Sequence, residues 1–237
     1  MQLQGVVSIE EIERFNALAA SWWNPDGPMR PLHRMNPVRI AWIVQGANRK
    51  FSATAGLRLL DVGCGAGLAA EALARRGFDV LGLDAATEAI DAARAHAAGQ
   101  GLTVTYRPGV AEELLAEGLR FPIITALEVI EHVPDPRAFL ATLAALLEPG
   151  GLLFLSTLNR TPQSFLAAKV AAEYLLRWLP AGTHDWRKFI TPAELAGMLR
   201  QAGLRVADSM GLVSDPLTGQ WRSSRDTTVN YGLVAEN

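Results

Sequence analysis

The chain has 237 residues, 49% of them hydrophobic and 19% charged, a globular rather than a disordered composition. Its net charge of -2 argues against a nucleic-acid binder that relies on a basic surface. A single cysteine, Cys64, excludes an internal disulfide framework and suits a reducing cytoplasm.

The opening "MQLQGVVSIEEIERF" has no basic start followed by an apolar core, so no signal peptide is expected. "SIEE" at Ser8 to Glu11 has the form of a capping box and predicts a helix running through "FNALAASWW". The Pro- and Gly-rich "NPDGPMRPLHRMNP" reads as an ordered loop before a second helix, "VRIAWIVQGANRK". From Leu57 strands and helices alternate. "LRLLDVG", "DVLGLD", "LTVTYRP", "IITALEVI" and "LLFLSTLN" read as five strands. "LAAEALARRG", "ATEAIDAARAHAAG" and "PRAFLATLAALLEPGG" read as helices, the first closed by Gly77. Short connections between them imply right-handed crossovers and a parallel sheet covered on both faces.

The alternation breaks at Arg160. "SFLAAKVAAEYLLRWLP", residues 164–180, carries its only charges at Lys169, Glu173 and Arg177, four residues apart. On a helix these form one narrow stripe, with apolar side chains such as Phe165, Leu166 and Trp178 around the rest. Such a helix would be about 24 Å long, short of the roughly 30 Å hydrocarbon core, so it can lie on a membrane but not cross one. A membrane or lid role is favoured over ordinary core. "TPAELAGMLRQAG" follows, a helix with Thr191 as N-cap, Pro192 at N1 and Glu194 at N3. "LRVADSMGLV" and "TTVNYGLVAEN" read as closing strands, expected to be antiparallel.

"LLDVGCGAG" puts Gly63, Gly65 and Gly67 between the first strand and its helix, where glycine lets a ligand approach the backbone. This edge of a doubly wound sheet is where nucleotides bind. Asp84 ends the second strand, placed to accept hydrogen bonds from ribose hydroxyls. A dinucleotide fingerprint would want a third glycine at position 68, which is Leu68, so a nicotinamide oxidoreductase fits poorly. The spacing, with Asp61 ahead of it, resembles that of S-adenosylmethionine-dependent methyltransferases.

Longer segments carry a tighter resemblance. "SWWNPDGPMRPLHRMNPVR", "LEVIEHVPDP", "STLNRTPQSF", "AAEYLLRWLPAGTHDWRKFITPAEL" and "VNYGLVAEN" together resemble the ubiquinone biosynthesis O-methyltransferases over nearly the whole chain. The resemblance implies a Rossmann-like class I methyltransferase fold, α/β with a mostly parallel sheet, an antiparallel C-terminal strand and an N-terminal helical cap. It implies a cap over 1–50, a donor-binding core over 51–160, an apolar helical insertion over 161–190 and closing elements over 191–237. It also implies methyl transfer from S-adenosylmethionine to a ring hydroxyl of a polyprenylated catechol or demethylubiquinol, at two steps of the pathway. Carried over by motif, Arg39, Asp61, Gly63, Gly65, Gly67, Asp84 and Leu127 would bind the donor, Arg39 at its carboxylate and Leu127 at its adenine.

Transfer from a sulfonium is an in-line displacement, so the enzyme must position the hydroxyl and help remove its proton. Glu128, Glu131 and His132 follow the fourth strand and are the catalytic candidates. In eukaryotic members of the family the corresponding residues hold a divalent ion, so Mg2+ chelating the catechol is one expectation. The other is that His132 contacts substrate or acts as base without metal. His33 and His184 could help close the pocket or simply bond within their loops, His96 should be solvent-exposed, and Cys64 a buried filler.

A tailed quinone precursor lives in a bilayer. The resemblance therefore implies a cytoplasmic enzyme on the inner face of the membrane, contacting it through 164–180 with help from Arg187 and Lys188, and possible membership of a ubiquinone-pathway complex. A methyltransferase of the same fold acting on another phenol, and a catalytically silent donor-binding subunit, remain the alternatives.

Overall fold

The computed structural model describes residues 8–165, 186–215 and 218–237. Eight strands form one sheet in the order β3-β2-β1-β4-β5-β8-β6-β7. β1 (Arg58–Val62), β2 (Asp79–Asp84), β3 (Thr105–Pro108), β4 (Phe121–Leu127) and β5 (Leu147–Leu158) are parallel. β8 (Asn230–Glu236) lies antiparallel between β5 and β6 (Arg205–Ser214), and β7 (Trp221–Ser224) forms the edge. The doubly wound, mostly parallel sheet with antiparallel closure is thus as expected. The four-residue β7, "WRSS", has too little apolar pattern to be read in advance.

Seven helices are described: α1 (Ile9–Leu18), α2 (Arg30–Lys50), α3 (Leu68–Ala74), α4 (Thr87–Gly99), α5 (Ala111–Ala116), α6 (Pro136–Leu146) and α7 (Pro192–Gln201). Every residue of β4, "FPIITAL", is buried, so that strand must be covered on both faces. On one face α2, α3 and α4 bring Ile43, Leu73 and Ile90 into one apolar cluster with Phe154. On the other α5, α6 and α7 bring Leu114, Leu143 and Leu199 against Ile124. Each helix does this with apolar residues three and four apart.

The helix limits of α1 and α2 differ most from expectation, and α5 was not anticipated. α2 begins at Arg30, taking in "RPLHRMNP", which the composition had marked as loop. Pro31 falls in the first turn, where its missing N–H is not needed. Pro37 is tolerated inside because packing holds the helix around it: Met35, Asn36 and Arg39 are buried, and Asn36 donates to the Leu68 carbonyl at 2.9 Å. α1 stops at Leu18 and continues as a 3-10 turn, Ala19–Ser21, instead of running through both tryptophans. The expected capping box at its start does not form, since Ser8 makes no side-chain cap bond. At α7 the box does form, Thr191 and Glu194 exchanging side-chain to backbone bonds.

The strand order reverses between β1 and β4, so a crevice opens at their carboxyl ends. Apart from Ser164 and Phe165, the segment 164–180 and His184 lie outside the described residues. Among the described residues, no helix is long and apolar enough to cross a membrane.

Candidate active site

The glycine loop leaves β1 at the crevice. Gly63, Gly65 and Gly67 all take positive φ, 68°, 52° and 90°. A Cβ at Gly63 would meet Val129 at 2.4 Å, and one at Gly65 would meet the Trp22 ring at 2.2 Å. These positions therefore require glycine both for backbone shape and for what presses on them. Asp84, at the end of β2, accepts from the backbone N–H of Gly65 at 2.7 Å and of Ala86 at 2.8 Å. Burial pushes its carboxyl up while these bonds oppose the shift.

The loop is clamped from the N-terminal side. The Trp23 indole donates to the Ala66 carbonyl at 3.0 Å and stacks on His96 at 3.4 Å, with 7° between the rings. Nδ1 of His96 is 2.8 Å from Oε1 of the buried Glu71. His96 is therefore half-buried in a clamp, not the exposed helix residue expected, because Trp23 folds back over α4. His33 bonds the Trp22 carbonyl at 2.8 Å, a loop-holding contact. Burial pushes the Cys64 thiol well up, which fits an inert filler.

A cavity fills the crevice. Gly63, Gly65, Asp84, Leu127, Glu128 and His132 line it, together with Glu11, Phe15 and Trp22 from the N-terminal segment and Val110 and Ala111 beyond β3. Arg39, Asp61 and Gly67 are not in its wall. Arg39 and Asp61 are buried beside it, Arg39 Nη1 standing 3.9 Å from Glu128 Oε1. Burial raises Asp61 to about 6, against a 2.6 Å bond from Thr125 and the Arg39 charge. Nε of Arg39, Oδ2 of Asp61 and Nε1 of Trp22 are buried without a hydrogen-bond partner. Unmade bonds of this kind at a cavity fit a polar ligand that supplies them.

Glu128 has φ 57°, the only positive value outside glycine among the described residues. Its backbone N–H donates to the Ser156 carbonyl at 2.9 Å, and its Oε1 accepts from Ser156 Oγ at 2.7 Å. Glu131 turns inward to accept from Thr157 at 2.8 Å. Burial, then repulsion from Glu128, raises its carboxyl from 4.5 to about 7. Nδ1 of His132 lies 3.3 Å from Oε2 of Glu11, and Phe15 meets the imidazole edge-on at 5.5 Å. Burial disfavours the imidazolium, but Glu11 and then Glu131 outweigh it, so His132 titrates above its usual value.

These three side chains do not converge. Their 128, 131, 132 spacing would share one face of a helix, but the segment is bend and turn, so each finds a different partner. Among the described residues, no three of His, Cys, Asp and Glu are placed to hold a metal ion. The divalent site expected at Glu128, Glu131 and His132 gains no support from this arrangement.

A second cavity lies beyond His132, lined by Ser8, Ile130, Glu131, Phe189, Ile190 and Met198, with Arg137, Arg160, Arg187 and Lys188. His132 and Val133 line both cavities. Sequence reading missed Glu11, Phe15 and Trp22. Glu11 had been assigned to a cap, and aromatic residues of a leading helix carry no mark of the cavity they meet.

Unfolded Glu131 loses its proton near 4.5 and the folded form holds it to about 7, so folding is penalised progressively as pH rises across that window. Glu131→Gln, which has no charge to bury, should gain in Tm over the parent between pH 5 and 7 and hold the gain above; a gain confined to acid pH would refute this. Gly65→Ala should cost about 1–2 kcal/mol from the left-handed backbone alone. A lower denaturant midpoint with altered tryptophan emission is expected, and an unchanged midpoint would overturn the close-packing account.

A methyltransferase domain model matches residues 17–209. The ubiquinone biosynthesis O-methyltransferase of Methylobacterium sp. (strain 4-46) is 49% identical over 97% of this chain and 95% of its own. That of Cereibacter sphaeroides (strain ATCC 17025 / ATH 2.4.3) is 48% identical over 98% and 97%. Among solved structures, the magnesium protoporphyrin IX methyltransferase of Synechocystis PCC 6803 with bound SAH superposes with a TM-score of 0.69. It is 21% identical, covers 95% of this chain and 97% of its own, and shows the shared fold. With its Rossmann-like class I methyltransferase sheet and near full-length identity to these relatives, the chain belongs to the ubiquinone biosynthesis O-methyltransferases.

Proposed function

We propose that the crevice cavity binds S-adenosylmethionine and that the second cavity admits a polyprenylated catechol or demethylubiquinol, methylated on a ring hydroxyl beside His132. The observation that carries this is the position of His132, in the wall of both cavities. The family supports action at both O-methylation steps.

When bound, the donor supplies an electrophilic methyl on a sulfonium. Asp84 would accept from its ribose hydroxyls, the apolar wall of Leu127, Val110 and Ala111 would take its flat base, and the buried Arg39 guanidinium would attract its carboxylate. Gly63, Gly65 and Gly67 let it approach the backbone, and Asp61 stiffens the strand end behind them through Thr125. Trp22 and Phe15 exclude water above it. His132 would accept the phenolic proton as the ring oxygen takes the methyl group, the donor leaving as a thioether. Glu128 orients Arg39, and Glu131, neutral or charged near pH 7, faces the acceptor side of the same ring. General-base help of this kind is worth about 10²–10⁴-fold. No step is routed through a divalent ion, because the candidate ligands face three different partners.

The acceptor's isoprenoid tail places the chemistry at a bilayer surface. The apolar segment 164–180, flanked by the exposed Arg187 and Lys188, is proposed as the peripheral contact on the inner face, with other enzymes of the pathway as neighbours.

Labelled methyl should pass from S-adenosylmethionine to a short-tailed demethylubiquinol and persist after EDTA. Activity abolished by EDTA and restored by Mg2+ would overturn the metal-free reading. Replacing Phe165 and Leu166 by Glu should reduce co-sedimentation with anionic liposomes while donor affinity is kept. Unchanged sedimentation would refute the membrane contact.

A further inference from the structure

Glu11 sits at the fourth position of its segment's apparent cap, yet its carboxylate reaches beyond α1 to other elements. Oε2 stands 3.3 Å from Nδ1 of His132 and 3.6 Å from Nη1 of Arg14, and Oε1 stands 3.9 Å from Nζ of Lys188. The side chain is 16% exposed and lines the crevice cavity. One turn further along α1, Phe15 meets the same imidazole edge-on at 5.5 Å. Residues four apart share a helix face, so α1 presents a carboxylate and an aromatic edge together to one ring. The backbone of His132 is held separately, its N–H donating to the Val129 carbonyl at 2.9 Å.

The geometry points to Glu11 as a positioning residue for methyl transfer: it fixes the His132 ring with Nδ1–H toward α1, so that Nε2 is the proton-accepting nitrogen at the passage between the cavities. The inference rests on the role of His132 as proton acceptor proposed above. A neutral imidazole has one donor and one acceptor nitrogen, and the partner of one decides the tautomer of the other. A carboxylate is the acceptor that best holds the Nδ1–H form, and the same logic orients histidine bases elsewhere. The His132 ring, first, holds Glu11 below the usual carboxylate range, so it is charged at neutral pH. The 3.3 Å contact is in ion-pair range without hydrogen-bond alignment, and such contacts tighten when ligands fill a site. Glu11 also touches Lys188 of the second cavity, so α1 closes on both cavities through one residue.

The test compares the full-length enzyme with Glu11→Ala, Glu11→Gln and His132→Gln. It reads kcat and KM for a short-tailed catechol, donor affinity by calorimetry, and the His132 tautomer by 15N NMR of the wild type. Glu11→Ala should lose kcat by about tenfold or more, with acceptor KM and donor Kd within about twofold. Glu11→Gln should recover most of kcat, because its amide oxygen accepts the same N–H. At a pH above the raised His132 titration, where the ring is neutral, the wild type should show the Nδ1–H tautomer, a readout that does not depend on any variant folding. Full kcat in Glu11→Ala with an inactive His132→Gln would overturn the role of Glu11 and leave that of His132. Full activity in His132→Gln would overturn both. Loss of donor affinity in step with kcat, failure of Gln to rescue, or an Nε2–H tautomer would each reduce Glu11 to a structural residue.

Discussion

Where β4 ends, the backbone at Glu128 takes a left-handed turn that costs a non-glycine residue about 1–2 kcal/mol. It is held there from β5: Ser156 receives the Glu128 N–H and donates its own hydroxyl to the Glu128 carboxylate. The turn breaks what would otherwise be a strand running into a helix. It drops Glu131 inward onto Thr157, lifts His132 toward α1, and leaves Glu128 facing the buried Arg39. Strain at such a position persists only when its surroundings over-determine it, as two adjacent side chains of β5 do here.

The same turn explains why the carboxylates of this segment do not share a task. Glu128 is compensated by a guanidinium and a hydroxyl, whereas Glu131 is buried with a hydroxyl alone and so is pushed up to about 7. Burial, with the neighbouring Glu128 charge, is what pushes the Glu131 carboxyl up. His132, with Glu11 on one side and Glu131 near it, is biased toward holding a proton. His132 stands in the wall of both cavities, with Glu131 in the wall of the second.

The N-terminal segment completes the site from above. Trp22 presses on Gly65, Trp23 joins Ala66 to His96, and α1 supplies Glu11 and Phe15 to His132. The glycine loop and His132 are thus both touched by this one segment. Closing a site in this way excludes water and strengthens the electrostatic interactions inside it.

The five-strand parallel core, the glycine loop, Asp84 and the capping box at Thr191 were all legible in the amino-acid order. Each rests on a local rule: strand and helix periodicities, backbone freedom at glycine, and a cap spanning three residues. So was the family, because its long motifs occur in order. What only the tertiary structure decided involves residues far apart in the chain. Pro37 stays helical because Asn36 and its buried neighbours anchor the turn on α3. Glu11 abandons its cap because a histidine 121 positions later stands closer to its carboxylate in space. Glu128, Glu131 and His132 each find a partner on another element, where a left-handed turn at Glu128 interrupts the regular backbone. Sequence spacing determines which residues can share a face when the backbone is regular. Where the chain bends, partners from other elements determine the direction of each side chain.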